Sequence, residues 1–309
     1  YLVNAHWSPD AEYANLNLAD ETVNIDWPLP LVEISDKDRD HPRLADVVPV
    51  PPRRTVIVGA DGQLGRALQE VLPDALALTR EDLDLTDPAT YDRVAWDDVD
   101  TIINAAAFTA VDAAETPDGR RQAWAVNVTG VAALARIALQ HRLTLVTISS
   151  DYVFDGTRVE HTVDEPVSPL GVYGQTKAAA EAVTSTVPQH YVVRTSWLVG
   201  EGTNFVATMQ RLARDGVRPQ VVDDQFGRLT TARELAEGIV GLLSSRAPYG
   251  VHHITGGGEP RSWADIAREV FAAEGRDPAD VIAVSTESYG ADKQLAPRPQ
   301  HSTLVPRTP

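Results

Sequence analysis

Residues 55 to 72 run from a β-branched tetrapeptide through three spaced glycines into a helical repeat, an order that few folds accept. Thr55-Val-Ile-Val58 has the character of a strand buried on both faces of a parallel sheet. Gly59-Ala-Asp-Gly62-Gln-Leu-Gly65 follows, and Arg66-Ala-Leu-Gln-Glu-Val-Leu72 then takes up helical spacing. Glycines spaced in this way permit a tight turn and let the backbone approach a pyrophosphate at the positive end of the helix. An ordinary strand-to-helix turn accepts the same glycines, but the strand before and the helix after favour a dinucleotide cradle. Further apolar runs at Ala75–Leu78, Thr101–Ile103, Leu143–Ile148 and Tyr191–Val193 alternate with helical stretches near 120–140 and 174–186. The expected fold class is α/β: a Rossmann-type doubly wound parallel sheet, with ligands at the carboxyl ends of its strands.

Beyond Trp197 the alternation loosens, with pieces such as Gly256-Gly-Gly-Glu-Pro260. Residues 53–198 are therefore expected to form the dinucleotide-binding domain. Residues 199–309 are expected to form a smaller, mainly substrate-binding α/β region, with some segments returning to the first sheet. Residues 1–52 differ from both, carrying Trp7, Trp27 and many Asp and Asn, and they leave through a proline-rich linker, Pro49-Val-Pro-Pro52. This extension is expected to be mostly irregular.

The net charge of −17 repels nucleic acid and anionic membrane surfaces, and no basic run offsets it. The chain has no cysteine, which excludes disulfides, thiolate metal sites and cysteine nucleophiles and fits a reducing cytoplasm, the expected location. The apolar stretches are short and interrupted against the roughly 20 residues of a membrane span, and no secretory leader pattern opens the chain. Met209 is the only methionine, so residue 1 is not expected to be the start of the gene product.

Tyr173 and Lys177 stand four residues apart, downstream of Ser149-Ser150-Asp151 at a predicted strand end. A phenol, an ammonium and a hydroxyl in one site can protonate a carbonyl oxygen while hydride arrives. A free phenol, with a pKa of about 10, is a poor catalyst near neutrality, and an adjacent ammonium lowers that value. A solvated helix face could carry the same pair by chance. The chain holds three lysines, however (Lys37, Lys177 and Lys293), which weakens that account.

An NAD site usually carries an acidic residue about 20 positions beyond the glycines, at the end of the second strand. Here that strand ends in Thr79-Arg80, and a guanidinium suits a 2′-phosphate, so NADPH is the expected cofactor. Glu81 and Asp82 keep NADH open. Asn104-Ala-Ala-Ala-Phe-Thr109 follows another strand with small residues that let riboses lie close to the backbone. His252-His253 reads as structural in the absence of metal-ligand spacing, so no metal ligands are assigned. Asp223-Asp224 is read equally as a solvated turn or as a cation or hydroxyl site.

In this order, the glycine turn, Asn-Ala-Ala-Ala, Ser-Ser-Asp-Tyr-Val-Phe and Tyr-x-x-x-Lys resemble the extended short-chain dehydrogenase/reductase family. Asn104–Asp112, Ser150–Phe154, Val172–Lys177, Arg194–Trp197 and Asp224–Gly227 narrow the resemblance to dTDP-4-dehydrorhamnose reductases, over about residues 54 to 304. The resemblance implies that Ser150 polarises a keto oxygen and that Tyr173 donates the proton. Lys177 would bind the nicotinamide ribose and depress the tyrosine pKa. It implies dinucleotide contacts from Gly59, Gly62, Gln63, Leu64, Gly65, Arg80, Asp84, Leu85, Ala105, Ala106 and Ala107. Substrate contacts fall on Thr109, Val111, Ser150, Asp151, Trp197 and Arg298. The partner would be a dTDP-linked 4-keto-6-deoxyhexose, reduced at C4. A reductase for another deoxysugar and a dinucleotide-binding regulatory subunit without turnover are the competing expectations. A homodimer is compatible with the resemblance. Some relatives bind Mg2+ through glutamates that have no matching position here.

The first 45 or so residues resemble the tail of dTDP-4-dehydrorhamnose 3,5-epimerases, in Tyr1, Trp7-Ser-Pro9, Ile25-Asp-Trp-Pro28 and Ser35-Asp-Lys-Asp38. That resemblance puts the epimerase tyrosine and aspartate on Tyr1 and Asp38 and the cupin barrel upstream of residue 1, so an epimerase-reductase fusion is expected. Two departures from the reductase pattern bear on the site. Gln225-Phe-Gly-Arg-Leu-Thr230 lacks the proline of the reductase loop, and Pro297-Arg298-Pro299 leaves one arginine for the nucleotide diphosphate. The chain also stops soon after Leu304, where relatives continue into a last helix.

Overall fold

The computed structural model describes residues 16–27, 34–47 and 53–306. Six parallel strands form one sheet: β1 (Arg54–Val58), β2 (Leu76–Leu78), β3 (Val99–Asn104), β4 (Thr144–Ser150), β5 (His190–Thr195) and β6 (Gly250–His253). Their order is β6-β5-β4-β3-β1-β2. From β1 the chain moves outward to β2 and then returns to β3 on the other side of β1. The crevice beyond β1 and β3 is thus the switch point where ligands of such sheets bind.

Alternation along β1 shows why both faces are covered. Val56 and Val58 pack with Ile102, Leu145 and the helix α3 residues Leu134, Ala135 and Ala138 (α3, Val131–His141). Ile57, between them, faces the opposite core with Leu64 and Leu68 of α1 (Gln63–Val71) and Leu235 and Ile239 of α6 (Ala232–Ser244). Each such side chain, fully removed from water, contributes about 1.5–3 kcal/mol. A third core lies between α5 (Phe205–Arg214) and α7 (Trp263–Ala273), where Met209, Ala213 and Phe271 pack with Val221 and Val281. The predicted Rossmann-type sheet therefore forms, and β6 brings a late segment into it.

The helical stretch expected near 120–140 is interrupted. It comprises α2 (Pro117–Trp124), a π-helical turn over Ala125–Gly130 and then α3. By length and composition alone, Pro117–His141 is apolar enough to cross a membrane. Arg120, Arg121 and Arg136 break the apolar run in the sequence, and in the fold Leu134, Ala135 and Ala138 are core residues. The helix predicted at 174–186 is α4, which begins slightly earlier (Val172–Thr184).

Residues 1–52 form a compact unit of their own. Among its described residues, buried Asp20 is the organising group, accepting hydrogen bonds from the amides of Thr22 (2.7 Å) and Leu44 (2.6 Å). These bonds, led by that of Leu44, hold its carboxyl below the usual range. Asn17 Nδ2 donates to the carbonyls of Arg39 and His41, at 2.7 and 3.1 Å. Tyr1, Trp7-Ser-Pro9, Pro28, the side chain of Asp38 and the proline-rich exit lie outside the described residues.

Candidate active site

Gly59 makes the turn at the end of β1 with φ +80°, a conformation that side chains with a Cβ rarely adopt. A Cβ there would stand 2.7 Å from the backbone nitrogen of Ala106, so the ends of β1 and β3 approach as only glycine allows. Asn104 shapes the neighbouring turn, its Oδ1 accepting from the Ala106 amide at 3.2 Å. Beyond these strand ends lies a cavity of about 740 Å³. Gly59, Gly62, Gln63 and Leu64 line its glycine-turn wall, and Arg80, Asp84 and Leu85 line it beyond β2. Ala105, Ala106, Ala107, Thr109 and Val111 line it after β3, while Ser150, Asp151, Tyr173, Lys177 and Trp197 close the far side. Gly65 lies outside the lining. It faces the Gly59 carbonyl, 2.2 Å from where its own Cβ would be, and so lets α1 pack onto the strand.

Ser150 ends β4 and begins a short turn over Asp151–Val153. Its Oγ donates to Asp151 Oδ1 at 2.8 Å and accepts from the Tyr152 amide at 3.2 Å. α4 carries Tyr173 and Lys177 one turn apart, and both side chains line the cavity together with Ser150. Burial pushes the phenol up to about 12, and the charge of Asp151 adds to this. Lys177, itself buried, is brought down to about 8 by desolvation, against which the charge of Glu181 acts. The expected depression of the tyrosine pKa by Lys177 is therefore not observed: burial, with the charge of Asp151, raises it and keeps the phenol protonated at neutral pH.

Asp151 is the strained member of the group. Burial lifts its carboxyl to about 6, against the lowering influence of Ser302 and Ser150, and its Oδ2 is buried without a partner. Because the folded value exceeds the unfolded one of 3.8, the favourable contribution exists below that value and disappears as pH rises through about 6. At pH 7.5 the ionised group costs about 3 kcal/mol. Asp151→Asn is expected to raise stability at pH 7.5 by roughly 1–3 kcal/mol, to add little at pH 4 and to lower activity. Urea denaturation at the two pH values checks this, and an unchanged midpoint at pH 7.5 would contradict it.

Three kinds of comparison relate the chain to known proteins. Residues 53–308 match the family described as RmlD substrate binding domain. The chain belongs to that family. It is 40% identical over 267 residues to a dTDP-4-dehydrorhamnose reductase of Mycobacterium tuberculosis (strain CDC 1551 / Oshkosh), covering 82% of this chain and 85% of that protein. It is also 40% identical over 258 residues to a dTDP-4-keto-6-deoxy-D-glucose reductase of Streptomyces niveus, covering 79% and 86%. The crystal structure of a Bacillus anthracis dTDP-4-dehydrorhamnose reductase in complex with NADP superposes with a TM-score of 0.77 at 34% identity, covering 83% of this chain and 92% of that one.

Arg298, expected at the substrate, is not among the cavity-lining residues. Its Nη2 pairs with Asp112 Oδ2 at 2.9 Å and its Nη1 donates to the Ala296 carbonyl at 3.1 Å. Asp224 is likewise occupied, receiving the Thr286 amide at 2.9 Å as well as its hydroxyl. His253 is buried against the Val305 carbonyl at 2.9 Å, and desolvation followed by Arg194 depresses it to about 4. Among the described residues no cluster of three or more His, Asp or Glu could hold a metal ion.

Several features of the site escape sequence reasoning. Asn127, within the π-helical turn, accepts from the Phe108 amide at 2.8 Å and donates to Thr176 Oγ1 at 3.0 Å, tying the loop after β3 to α4. Its one signal was a polar residue inside an apolar helical run. Trp263 lines the cavity and stacks on Trp197, with centroids 3.7 Å apart and planes 12° from parallel. Trp197 itself has φ +43°, a left-handed backbone that costs on the order of 1–3 kcal/mol for a bulky residue.

Proposed function

We propose that this chain reduces the C4 ketone of dTDP-4-dehydro-L-rhamnose to dTDP-L-rhamnose with NADPH. The observation that carries this reading is the convergence of Ser150, Tyr173 and Lys177 on one cavity, in a chain whose relatives are named reductases of dTDP-linked keto sugars. The chain is an oxidoreductase on this reading. Residues 53–198 serve as its dinucleotide domain and 199–309 mainly as its sugar side.

The cradle suits a dinucleotide, since Gly59 and Gly62 leave open backbone at the N-terminus of α1, where a pyrophosphate is favourable. When bound, NADPH supplies the hydride. Tyr173, held neutral by burial, is the proton donor to the C4 oxygen, and Ser150 steadies that oxygen through its hydroxyl. Lys177 contributes positive charge beside the phenol and a donor for ribose hydroxyls. Thr109, Val111 and Trp197 bound the sugar, and buried Asp151 accepts from its hydroxyls.

NADPH is favoured over NADH by Arg80, whose side chain is 77% exposed at the rim and shares Asp84 at 3.1 Å. Asp82 is spent on capping the Thr79 amide at 2.9 Å, and the solved relative in complex with NADP agrees in kind. Arg80→Ala is expected to weaken NADPH about tenfold while leaving NADH within about twofold, as a charge-assisted phosphate contact predicts. Kd values from tryptophan quenching decide, and equal weakening of both cofactors would count against the role.

A second reading keeps the chemistry and changes the sugar, since the Streptomyces niveus relative is as similar as the mycobacterial one. Purified protein with NADPH and a panel of dTDP-4-keto sugars, followed at 340 nm, separates the two. Faster turnover of another sugar selects the second reading. Cofactor binding without consumption on any sugar overturns both and leaves a regulatory subunit. We further propose, on the motifs in residues 1–38, an epimerase-like tail of a longer epimerase-reductase fusion acting in the cytoplasm, with homodimerisation open to direct measurement.

A further inference from the structure

The Trp197–Trp263 stack has three features that simple core packing leaves unexplained. Both rings line the cavity, Trp263 from the edge of the core between α5 and α7. Aromatic pairs generally prefer offset or edge-to-face geometry, yet these indoles lie nearly parallel with centroids 3.7 Å apart, so their surroundings impose the arrangement. The Trp197 Nε1–H is buried with no acceptor in the protein, although such donors are nearly always paired.

The surroundings that impose it can be named. Trp263 is the first residue of α7, pinned there by a capping box in which Ser262 and Asp265 exchange hydrogen bonds. Phe205 packs against its ring at 4.5 Å. On the other side of Trp197 lies Gly227, where a Cβ would stand 2.6 Å from the indole Cε2. Gly227 and Trp263 are held in register because the strand Arg261–Ser262 pairs antiparallel with Phe226–Gly227. Trp197 is thus gripped between a bare backbone and a second indole, with its own backbone forced to φ +43°.

We infer that Trp263 and Gly227 are positioning residues for the sugar end of the cavity, gripping Trp197 so that its Nε1–H donates to an oxygen of the substrate. An indole nitrogen only donates, so its partner is a hydroxyl, carbonyl or phosphate oxygen. The inference rests on the proposed keto-sugar reduction and extends it to residues outside direct contact with the reacting atoms.

The test is a double-mutant cycle in the whole chain, with Trp263→Leu, Trp197→Phe and both together. Trp263→Leu is expected to raise KM for the keto sugar about fivefold, the effect of one neutral hydrogen bond, with kcat and the NADPH Kd within about twofold. Trp197→Phe gives a similar rise, and the double variant is no worse than Trp197→Phe alone. Trp263→Phe, which keeps an aromatic support, restores most of the KM. The coupled-indole signal in circular dichroism reports the stack independently of turnover, and it is expected to vanish in every variant at either position. Additive effects, an unchanged sugar KM in Trp263→Leu, or an equal loss of NADPH affinity would each overturn the inference while the parent still turns over. No turnover by the parent overturns the proposed reaction and this inference together.

Discussion

Tyr173→Phe is expected to lower kcat by about 10²- to 10⁴-fold, the range over which a positioned general acid acts. The loss belongs to the proton and not to the fold. The ring packs with Val172, Ala114 and Ala123 and meets Tyr152 edge-on at 5.9 Å, and phenylalanine can keep both contacts. NADPH affinity is expected to stay within about threefold, because the missing hydroxyl is one neutral hydrogen-bonding group. The parent should decline as pH rises through about 8, where Lys177 loses its charge, while the phenol stays protonated to about 12. Steady-state turnover with NADPH, together with a binding titration, decides. A variant retaining more than about a tenth of parental kcat would remove Tyr173 from the role of proton donor.

Glu181→Ala is expected to have the largest effect on stability, a loss of about 3–5 kcal/mol. Glu181 lies one turn beyond Lys177 on α4, buried, and receives Arg194 Nε at 2.9 Å, Arg194 Nη2 at 2.7 Å and Ser149 Oγ at 2.5 Å. Removing the carboxylate leaves a guanidinium in the interior with no partner of opposite charge at that position, and His253 Nε2, 3.4 Å from Arg194 Nη1, cannot replace it. Replacing both partners by apolar residues, as in Glu181→Leu with Arg194→Met, should recover much of the loss, because no orphaned charge remains. Urea unfolding of the single and double variants measures the difference, and a single-variant loss below about 1 kcal/mol would show that the pair is not what holds β5 to α4. The same substitution removes the charge that counteracts desolvation of Lys177, so its alkaline limb should move to lower pH.

How much of this was legible in the sequence depends on where each feature's cause lies. β1, its glycine turn and α1 were legible because their causes are local: β-branched residues, missing Cβ atoms and helical spacing. Ser150, Tyr173 and Lys177 were legible as a pattern, but the direction of the Tyr173 shift was not, because it depends on burial and on Asp151 approaching from another element. The strand β6 was hidden. Its residues, Gly250-Val-His-His253, are not an apolar run, and they pair with β5 only because the fold brings them there. The two-residue strands around Phe226–Gly227 and Arg261–Ser262 are likewise products of tertiary pairing. The pairing of Arg298 with Asp112 was not legible for a related reason, since the two lie 186 residues apart along the chain.

The position of β6 limits how such an enzyme can change its sugar. The chain leaves the sheet after β5, builds the α5 region and returns as the edge strand before entering α7 and its Trp263. A cut at residue 198 would therefore strip the sheet of an edge strand and expose the face of α1 that α6 covers. Residues 199–309 are not an exchangeable cassette: a graft of that region from a relative would have to carry part of the six-stranded sheet with it. New specificity in this architecture is more accessible through substitutions around Trp197 than through exchange of whole segments.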